Sequence, residues 1–599
     1  MSEKSGNYQA DIHNSSYEDD YLSIRLDHTT LLNSNGRETE SLNGKWHFGV
    51  DLYDTCRRAK WYTETRYNEK AMEQPVDWDF DAWERITVPG SWNLQRPELL
   101  YFEGTGVYFR TFHYIPKVKD ERVFLCFEGA AYRASVFFNG EFIGTHDGAS
   151  TPFSVEITGK IKPENRIIVT TDARRRPDRV PMENTDWFNY GGLYRDICLV
   201  RTPKTFIKNY FIHLVPDGTF SKIKVQWTLD GTAGKNDKIG INIPELCINQ
   251  VVSTKEGEII FTVDPEELYL WSPENPKLYD VCINYLPEVG SIPDQIYEKI
   301  GFREIKTDGE TLFLNGKEIF LKGICVHEDH YQLGKTTDPD IIRQTIRDLK
   351  EMNGNYFRLA HYPHDRRFAQ IADEEGILLW EEVPVYWAIA FENPETYRDA
   401  ENQLMELIMR DCNRASVIIW SMGNENADTD SRLNFMSGLV KKAKELDNSR
   451  LISAACLINH SELKIEDRLA EFLDIIGINE YYGWYDPDFD KLPKILSNSN
   501  PGKPVLICEF GGDARTGQRG TVTDLFSEDK QKALYEKQIA TFKQCPFIAG
   551  LSPWILYDFR CPRRLNRYQE GFNRKGLIDA DRTTKKPAFY VMQVFYAEK

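Results

Sequence analysis

The second half of the chain constrains the fold most. From about Glu304 onward, short apolar runs alternate with stretches long enough to be helices. The runs are IFLKGI (Ile319–Ile324), NYFRLA (Asn355–Ala360), GILLWEEVP (Gly376–Pro384) and SVIIWSMGNEN (Ser416–Asn426), followed by LISAAC (Leu451–Cys456), DIIGINEYYGWY (Asp474–Tyr485), KPVLICEFG (Lys503–Gly511) and IAGLSPWILYDF (Ile548–Phe559). Amphipathic segments such as PDIIRQTIRDLKEMN and DAENQLMELIMRDCN lie between them. Parallel strands covered on both faces read as continuous apolar runs, and their crossovers need helix-length connections. Eight such units in roughly 290 residues are the complement of one closed (β/α)8 barrel.

Upstream the texture is different. From about Leu42 to Arg201, runs such as RVFLCFEG, ASVFFNGEFIG and NRIIVTTDA are separated by turn signals, and no helical period persists. The Asn139-Gly140 pair between two apolar runs predicts a tight hairpin. Thr205–Phe302 continues in strands, KIKVQWTLDG and KLYDVCINYL among them, at the size of an immunoglobulin-like sandwich. The expected organisation is a β-sandwich over 1–203, an immunoglobulin-like β-sandwich over 204–303 and a (β/α)8 barrel over 304–599.

Composition narrows the partners. Across 599 residues, 74 Lys and Arg face 92 Asp and Glu, a net charge of −18. Phosphate polyanions and anionic bilayers would be repelled, so neither nucleic acid nor membrane is an expected partner. No run of eighteen apolar residues occurs. The opening MSEKSGNYQADIHNSSYEDD lacks a basic stretch followed by an apolar one, as would a secreted chain already stripped of its leader. The eleven cysteines stand singly, with no C-x-x-C pair, which reads as free thiols in a reducing compartment, the cytoplasm. Thirteen Trp, 30 Tyr and 33 Phe suit either a large β core or stacking platforms for sugars. No glycine-rich phosphate loop stands between a strand and a helix, so no cofactor is expected. His327-Glu328-Asp329-His330 lacks the helical spacing of zinc proteases, and no metal is expected.

Active sites of such barrels form at the C-terminal ends of the strands. Strand four ends in Gly423-Asn424-Glu425, and strand seven in Glu509 after Val505-Leu506-Ile507-Cys508. A lone Glu after a strand more often salts a loop. Two carboxylates facing each other across a barrel mouth are what glycoside hydrolysis requires. One must be held protonated for the leaving oxygen, the other ionised for the anomeric carbon. Arg358, after Asn355-Tyr356-Phe357, is placed to hold a neighbouring carboxylate ionised. Glu381 and Glu382 form a rival pair, but adjacent strand residues point to opposite sides, so at most one faces the pocket.

These residues also carry a family resemblance. RDCNRASVIIWSMGNEN (Arg410–Asn426) resembles the acid/base signature of glycoside hydrolase family 2, the β-galactosidase, β-glucuronidase and β-mannosidase family. KPVLICEFGGDA (Lys503–Ala514) is similar to its nucleophile segment, and LKGICVHEDH and NYFRLAHYPHD to its loops after strands one and two. The likeness spans nearly the whole chain. It implies a jelly-roll sandwich of sugar-binding type at the N-terminus, Glu425 as proton donor, Asn424 on the sugar 2-hydroxyl and Glu509 as nucleophile. It further places Arg358 and His361 in the site, Tyr481 on the nucleophile and Trp554 under the sugar. The implied mechanism is double displacement with retention, the carboxyl groups about 5–5.5 Å apart. Arg414-Ala415 stands where the family usually has His-Pro; it precedes the strand, so little effect on chemistry is expected.

The segment Asp558–Lys575, DFRCPRRLNRYQEGFNRK, bears on the sugar. It sets Arg560, Arg563, Arg564, Arg567, Arg574 and Lys575 against Asp558 and Glu570, in an otherwise acidic chain. Such enrichment beside the last strand is a device for an anionic substrate, although Arg-rich runs are also commonly solvated or at subunit contacts. Asn573-Arg574-Lys575-Gly576 resembles the Asn-x-Lys motif by which β-glucuronidases hold the sugar carboxylate. Asp186, in DWFNYGG, and Tyr485, in NEYYGWY, are similar to sugar-contacting residues of that subgroup. Neutral-sugar members also carry N-x-K-G, however, and Gln569 stands where glucuronidases place a basic residue. The resulting expectation is a retaining exo-β-glycosidase for small-molecule or oligosaccharide β-glucuronides or β-galacturonides, working as a homo-oligomer. A β-galactosidase of the same family and a catalytically silent carbohydrate-binding protein are the alternatives. The short stretch Tyr386–Tyr397 after strand three leaves no room for a long lid there.

Overall fold

The computed structural model describes residues 24–598 apart from 64, 69 and 289–291, so the opening segment lies outside the described residues. The first unit packs a four-stranded sheet against a six-stranded one. Their facing sides alternate Trp46, Phe48, Val123, Leu125, Phe127, Val136, Phe138, Ile167 and Val169 into one core. The predicted hairpin joins Arg133–Phe138 to Glu141–Asp147. Asn139 and Gly140 both take positive φ, 49° and 87°, as a two-residue turn matching strand twist demands. The second unit pairs sheets of three and four strands, the seven of a small immunoglobulin-like sandwich.

A three-stranded antiparallel sheet (Ile305–Asp308, Thr311–Leu314, Lys317–Glu318) then leads into a closed barrel of parallel strands. The barrel strands are β1 (Leu321–His327), β2 (Tyr356–Ala360), β3 (Leu378–Glu382), β4 (Val417–Asn424), β5 (Leu451–Cys456), β6 (Ile476–Asn479), β7 (Val505–Glu509) and β8 (Ile548–Leu551). Helix starts are capped as their sequences ask: Asp338, Asn393, Thr429 and Ser527 each accept a backbone N–H in the first turn. Two strands fall furthest short of the apolar runs that suggested them. β6 stops at Asn479 because the following backbone turns back on itself, Trp484 N–H donating to Tyr481 C=O at 2.9 Å. β8 stops at Leu551, two residues before Pro553, which has no N–H for the ladder. β1 starts two residues later than expected, since Ile319 bonds back to Leu312 of the small sheet.

The barrel floor is apolar and sealed. Ile305, Leu312 and Leu314 of the small sheet join Leu321, Tyr356, Trp380, Ile419 and Leu506 in one buried cluster. The polar ends of the strands therefore open only at the opposite mouth, against which the first sandwich docks. Arg195 of the sandwich donates to Glu328 at 2.8 Å and to Pro363 C=O at 2.8 Å, with Tyr190 OH on Asp329 at 3.0 Å. The His327–His330 stretch thus serves domain docking. Buried His146 meets buried Glu406 of the barrel at 3.1 Å in a second seam. No helix among the described residues is long and apolar enough to cross a membrane.

Candidate active site

Strand ends build the site residue by residue. On β2 the side chain of Arg358 points into the barrel and is wholly buried. Its guanidinium donates to Glu509 Oε1 at 2.7 Å, to Asn424 Oδ1 at 2.7 Å and to both oxygens of Glu382 at 3.2 Å. Of the β3 pair, Glu382 faces inward, two residues after the interior Trp380, whose indole N–H donates to it at 2.9 Å. Glu381 points outward to Arg410, as strand alternation requires. His361 lies 2.8 Å from Glu382 Oε1 and 3.8 Å from Glu509 Oε1. One cation thus ties the end of β2 to the ends of β3, β4 and β7.

The two carboxylates sit in different surroundings. Glu509 is buried and accepts from Arg358 on one oxygen and from Tyr481 OH on the other, at 2.8 Å. Burial raises its carboxyl above the ordinary value; Arg358 pulls against that, while nearby Glu425 adds to it. Arg358 holds the neighbouring Glu382 below its ordinary value against the cost of burial. Glu425 is half-buried and accepts from Trp387 Nε1 at 2.8 Å and Asn479 Nδ2 at 2.9 Å. Its backbone is left-handed, φ 53°, an arrangement that costs a non-glycine residue of order 1–3 kcal/mol and persists where surroundings over-determine it. Here Asn424 N–H bonds Val385 C=O and Glu425 N–H bonds Ala455 C=O, so the chain just after β3 and strand β5 together fix the turn. The Asn424 amide nitrogen is buried with no protein acceptor, a donor left for a ligand hydroxyl.

Trp554, only 4% exposed, stacks on His361 with ring centres 4.9 Å apart. Trp187 of the sandwich packs beside the same histidine at 5.7 Å. A second polar group flanks Tyr481. Lys575 pairs with buried Asp513 and donates to Tyr485 OH at 2.7 Å. Burial works against the charge on Lys575, but Asp513 and Tyr485 together hold the ammonium above its ordinary value. Asn573 Nδ2 donates to Asp186 at 3.2 Å, and Asp186 also takes Arg564. The chain thus brings together Asp186, Arg358, His361, Asn424, Glu425, Tyr481, Tyr485, Glu509, Trp554, Asn573 and Lys575 at one barrel mouth.

Family models match the chain in three consecutive pieces: the glycosyl hydrolases family 2 sugar binding domain over 39–203, glycosyl hydrolases family 2 over 205–303, and its TIM barrel domain over 305–598. The chain belongs to glycoside hydrolase family 2. Among relatives in that family, a β-glucuronidase of Paenibacillus borealis is 28% identical over 606 residues, covering 92% of this chain and 96% of its own. A β-glucuronidase from Ruminococcus gnavus, solved with a C6-substituted uronic isofagomine, superposes with a TM-score of 0.84 at 25% identity, over 96% of this chain and 100% of that one. A β-galacturonidase of the same family from Eisenbergiella tayi, bound to glycerol, gives 0.78 at 26% identity, over 96% and 98%. The chain is accordingly a glycoside hydrolase.

Several site residues were not singled out from the sequence. Asn479 is a polar residue ending an apolar run, so the rule that flagged Glu425 and Glu509 applies to it equally. Trp387 carries no such mark; only the fold brings its indole to Glu425. Asp513 becomes a site residue through its partner Lys575, whereas Arg564 was read only as one member of the basic run.

Proposed function

We propose that this family 2 hydrolase is a retaining exo-β-glycosidase of β-uronides, β-glucuronides first. The observation that carries the reading is the asymmetry of the two carboxylates. Glu509, charge-paired to Arg358 and buried, is suited to attack the anomeric carbon. Glu425, half-buried between Trp387 and Asn479, is suited to give its proton to the leaving oxygen. In the first step the Glu509 oxygen bonds to C1 as the C1–O bond to the aglycone breaks and that oxygen takes the Glu425 proton. In the second, Glu425 removes a proton from water, whose oxygen replaces Glu509 at C1 with net retention. Asn424, through its free amide N–H, is assigned the 2-hydroxyl, and Trp554 with His361 the floor beneath the ring. Asn573 and Lys575 are assigned the sugar carboxylate, with Asp186 and Tyr485 at its border.

The uronide assignment draws support from the β-glucuronidase relatives and from the cationic Lys575 beside the nucleophile's tyrosine. A β-galactosidase reading draws on one observation, the Asp513 carboxylate that already occupies part of the Lys575 charge. Comparing kcat/KM for aryl β-glucuronide, β-galacturonide and β-galactoside decides between them; a galactoside preference would overturn the uronide reading. Sugar binding without any turnover would leave only a silent binding protein. Glu509→Ala should abolish the chemical step and regain turnover of an activated substrate with azide. A folded variant that azide does not rescue would remove Glu509 from the nucleophile's role. We extend the reading to a homo-oligomer in the cytoplasm, supported by exposed Tyr590 and Val594 on the last helix and by eleven unbonded cysteines. Sedimentation and cell fractionation test the two.

A further inference from the structure

The basic residue expected at position 569 is absent, yet the pocket wall holds a second cation. Gln569 turns inward, its amide donating to Asp513 Oδ1 at 2.8 Å. Arg564, five residues earlier in the loop between Phe559–Arg560 and Phe572–Asn573, reaches the same group from the other side. Its guanidinium pairs with Asp186 and donates from Nη1 to Tyr485 OH at 3.3 Å. Lys575 Nζ donates to that same hydroxyl at 2.7 Å. Two cations from opposite ends of one loop therefore converge on one phenol oxygen.

The donor count gives this convergence its meaning. Both anions in the group are engaged on both oxygens. Asp513 accepts from Gln569, from Arg574 N–H and from Lys575; Asp186 accepts from Arg564, Asn573 and the Cys561 thiol. The cations are not saturated. Lys575 has three protons and two of them are engaged, and Arg564 Nε is buried with no protein acceptor. Tyr485, accepting twice, keeps its own proton to donate, and its ring is 57% exposed at the mouth. Open donors thus remain on Lys575, Arg564 and Tyr485.

We infer that Arg564 is a specificity-determining residue that supplies, with Lys575 and through the shared Tyr485 hydroxyl, the second positive charge for the substrate's C6 carboxylate. The inference rests on the uronide reading above. A planar guanidinium held by Asp186 is pre-organised for a carboxylate, so a small loop change conserves the charge while moving its origin from position 569 to 564.

The test is a pair of substrates differing only at C6, an aryl β-glucuronide and the matching aryl β-glucoside, or the galacto pair. In Arg564→Gln, kcat/KM is expected to fall ~10- to 100-fold more for the uronide than for the neutral sugar, the loss of a charge-assisted hydrogen bond, chiefly through KM. Arg564→Lys keeps Asp186 paired and is expected to show a smaller loss of the same selectivity. Equal losses on both substrates, or an unchanged uronide ratio in either variant, would overturn the inference. Should the glutamine variant fail to fold, the lysine variant decides by the same ratio. A wild-type enzyme without uronide preference would overturn the underlying reading as well; a preference that survives both substitutions overturns the role of Arg564 alone.

Discussion

Tyr481→Phe isolates the electrostatics of Glu509, the proposed nucleophile. The hydroxyl donates to Glu509 Oε2 at 2.8 Å in a buried site, and the remaining oxygen keeps Arg358. Burial raises the Glu509 carboxyl, and the Tyr481 bond is one of the forces opposing that rise. Only the ionised carboxylate attacks, so kcat/KM must climb with pH as Glu509 loses its proton. Removing the phenol removes a donor that favours the ionised form, and the acid limb moves to higher pH. A hydrogen bond to a charged group is worth about 1.5–3 kcal/mol. At about 1.4 kcal/mol per factor of ten, the protonation equilibrium shifts ~10- to 100-fold. On the acid limb, kcat/KM for an aryl β-glucuronide should fall by that factor beyond any loss on the plateau. The assay is the pH profile of kcat/KM for both proteins. An acid limb that stays in place, or moves down, would refute the reasoning. A uniform loss at every pH would reduce Tyr481 to a positioning contact.

Three further outcomes follow from separate parts of the molecule. Asn479→Ala removes one of the two donors that orient Glu425 and the link to Asn424; kcat/KM should fall up to ~100-fold as the carboxyl loses its position, with far-UV circular dichroism unchanged. Arg195→Met leaves Glu328 buried without its cation at the domain seam, a loss of about 3–5 kcal/mol that should appear as a clear drop in the midpoint of thermal or urea unfolding. A shift under ~1 kcal/mol would mean that the seam is not held by this pair. Glu480, buried with no cation beside it, is pushed up to about 8. Its folded form keeps a proton that the unfolded chain releases, so stability is full below about 4.5 and is lost as pH rises through 8. Glu480→Gln should therefore gain on the wild type as pH rises over that window, and parallel stability curves would show that Glu480 is not the cause.

Much of this site was legible because strand periodicity and barrel geometry act locally. An apolar run of four to six residues fixes which residue sits at its end, so Asn424, Glu425 and Glu509 could be read directly. The same alternation predicted that one of Glu381 and Glu382 turns away, and Glu381 does. Partners supplied by loops were not legible. Trp387 reaches Glu425 because the chain after β3 pairs back along Asn424, a contact with no periodic signature. The basic run from Arg560 to Lys575 was legible only in part. Charge was countable, but pairing was not: Arg574 meets Asp558 at 3.4 Å and Asp579 at 3.6 Å, Lys575 meets Asp513, and Arg564 meets Asp186. The acid partners lie up to hundreds of residues away. β6 was read too long because its aromatic continuation looks like strand until the turn at Tyr481 is seen.

The docking of the first sandwich has a consequence for how activity arises. Asp186 and Trp187 belong to that domain, yet the first holds the Arg564 and Asn573 side chains and the second packs on His361. A barrel that has closed by itself would possess Glu509, Glu425 and Arg358, but Asp186 and Trp187 would be missing from its mouth. Turnover would then be the last property gained during refolding, appearing with inter-domain assembly rather than with secondary structure. The kinetics of regained hydrolysis would therefore time domain docking in this enzyme.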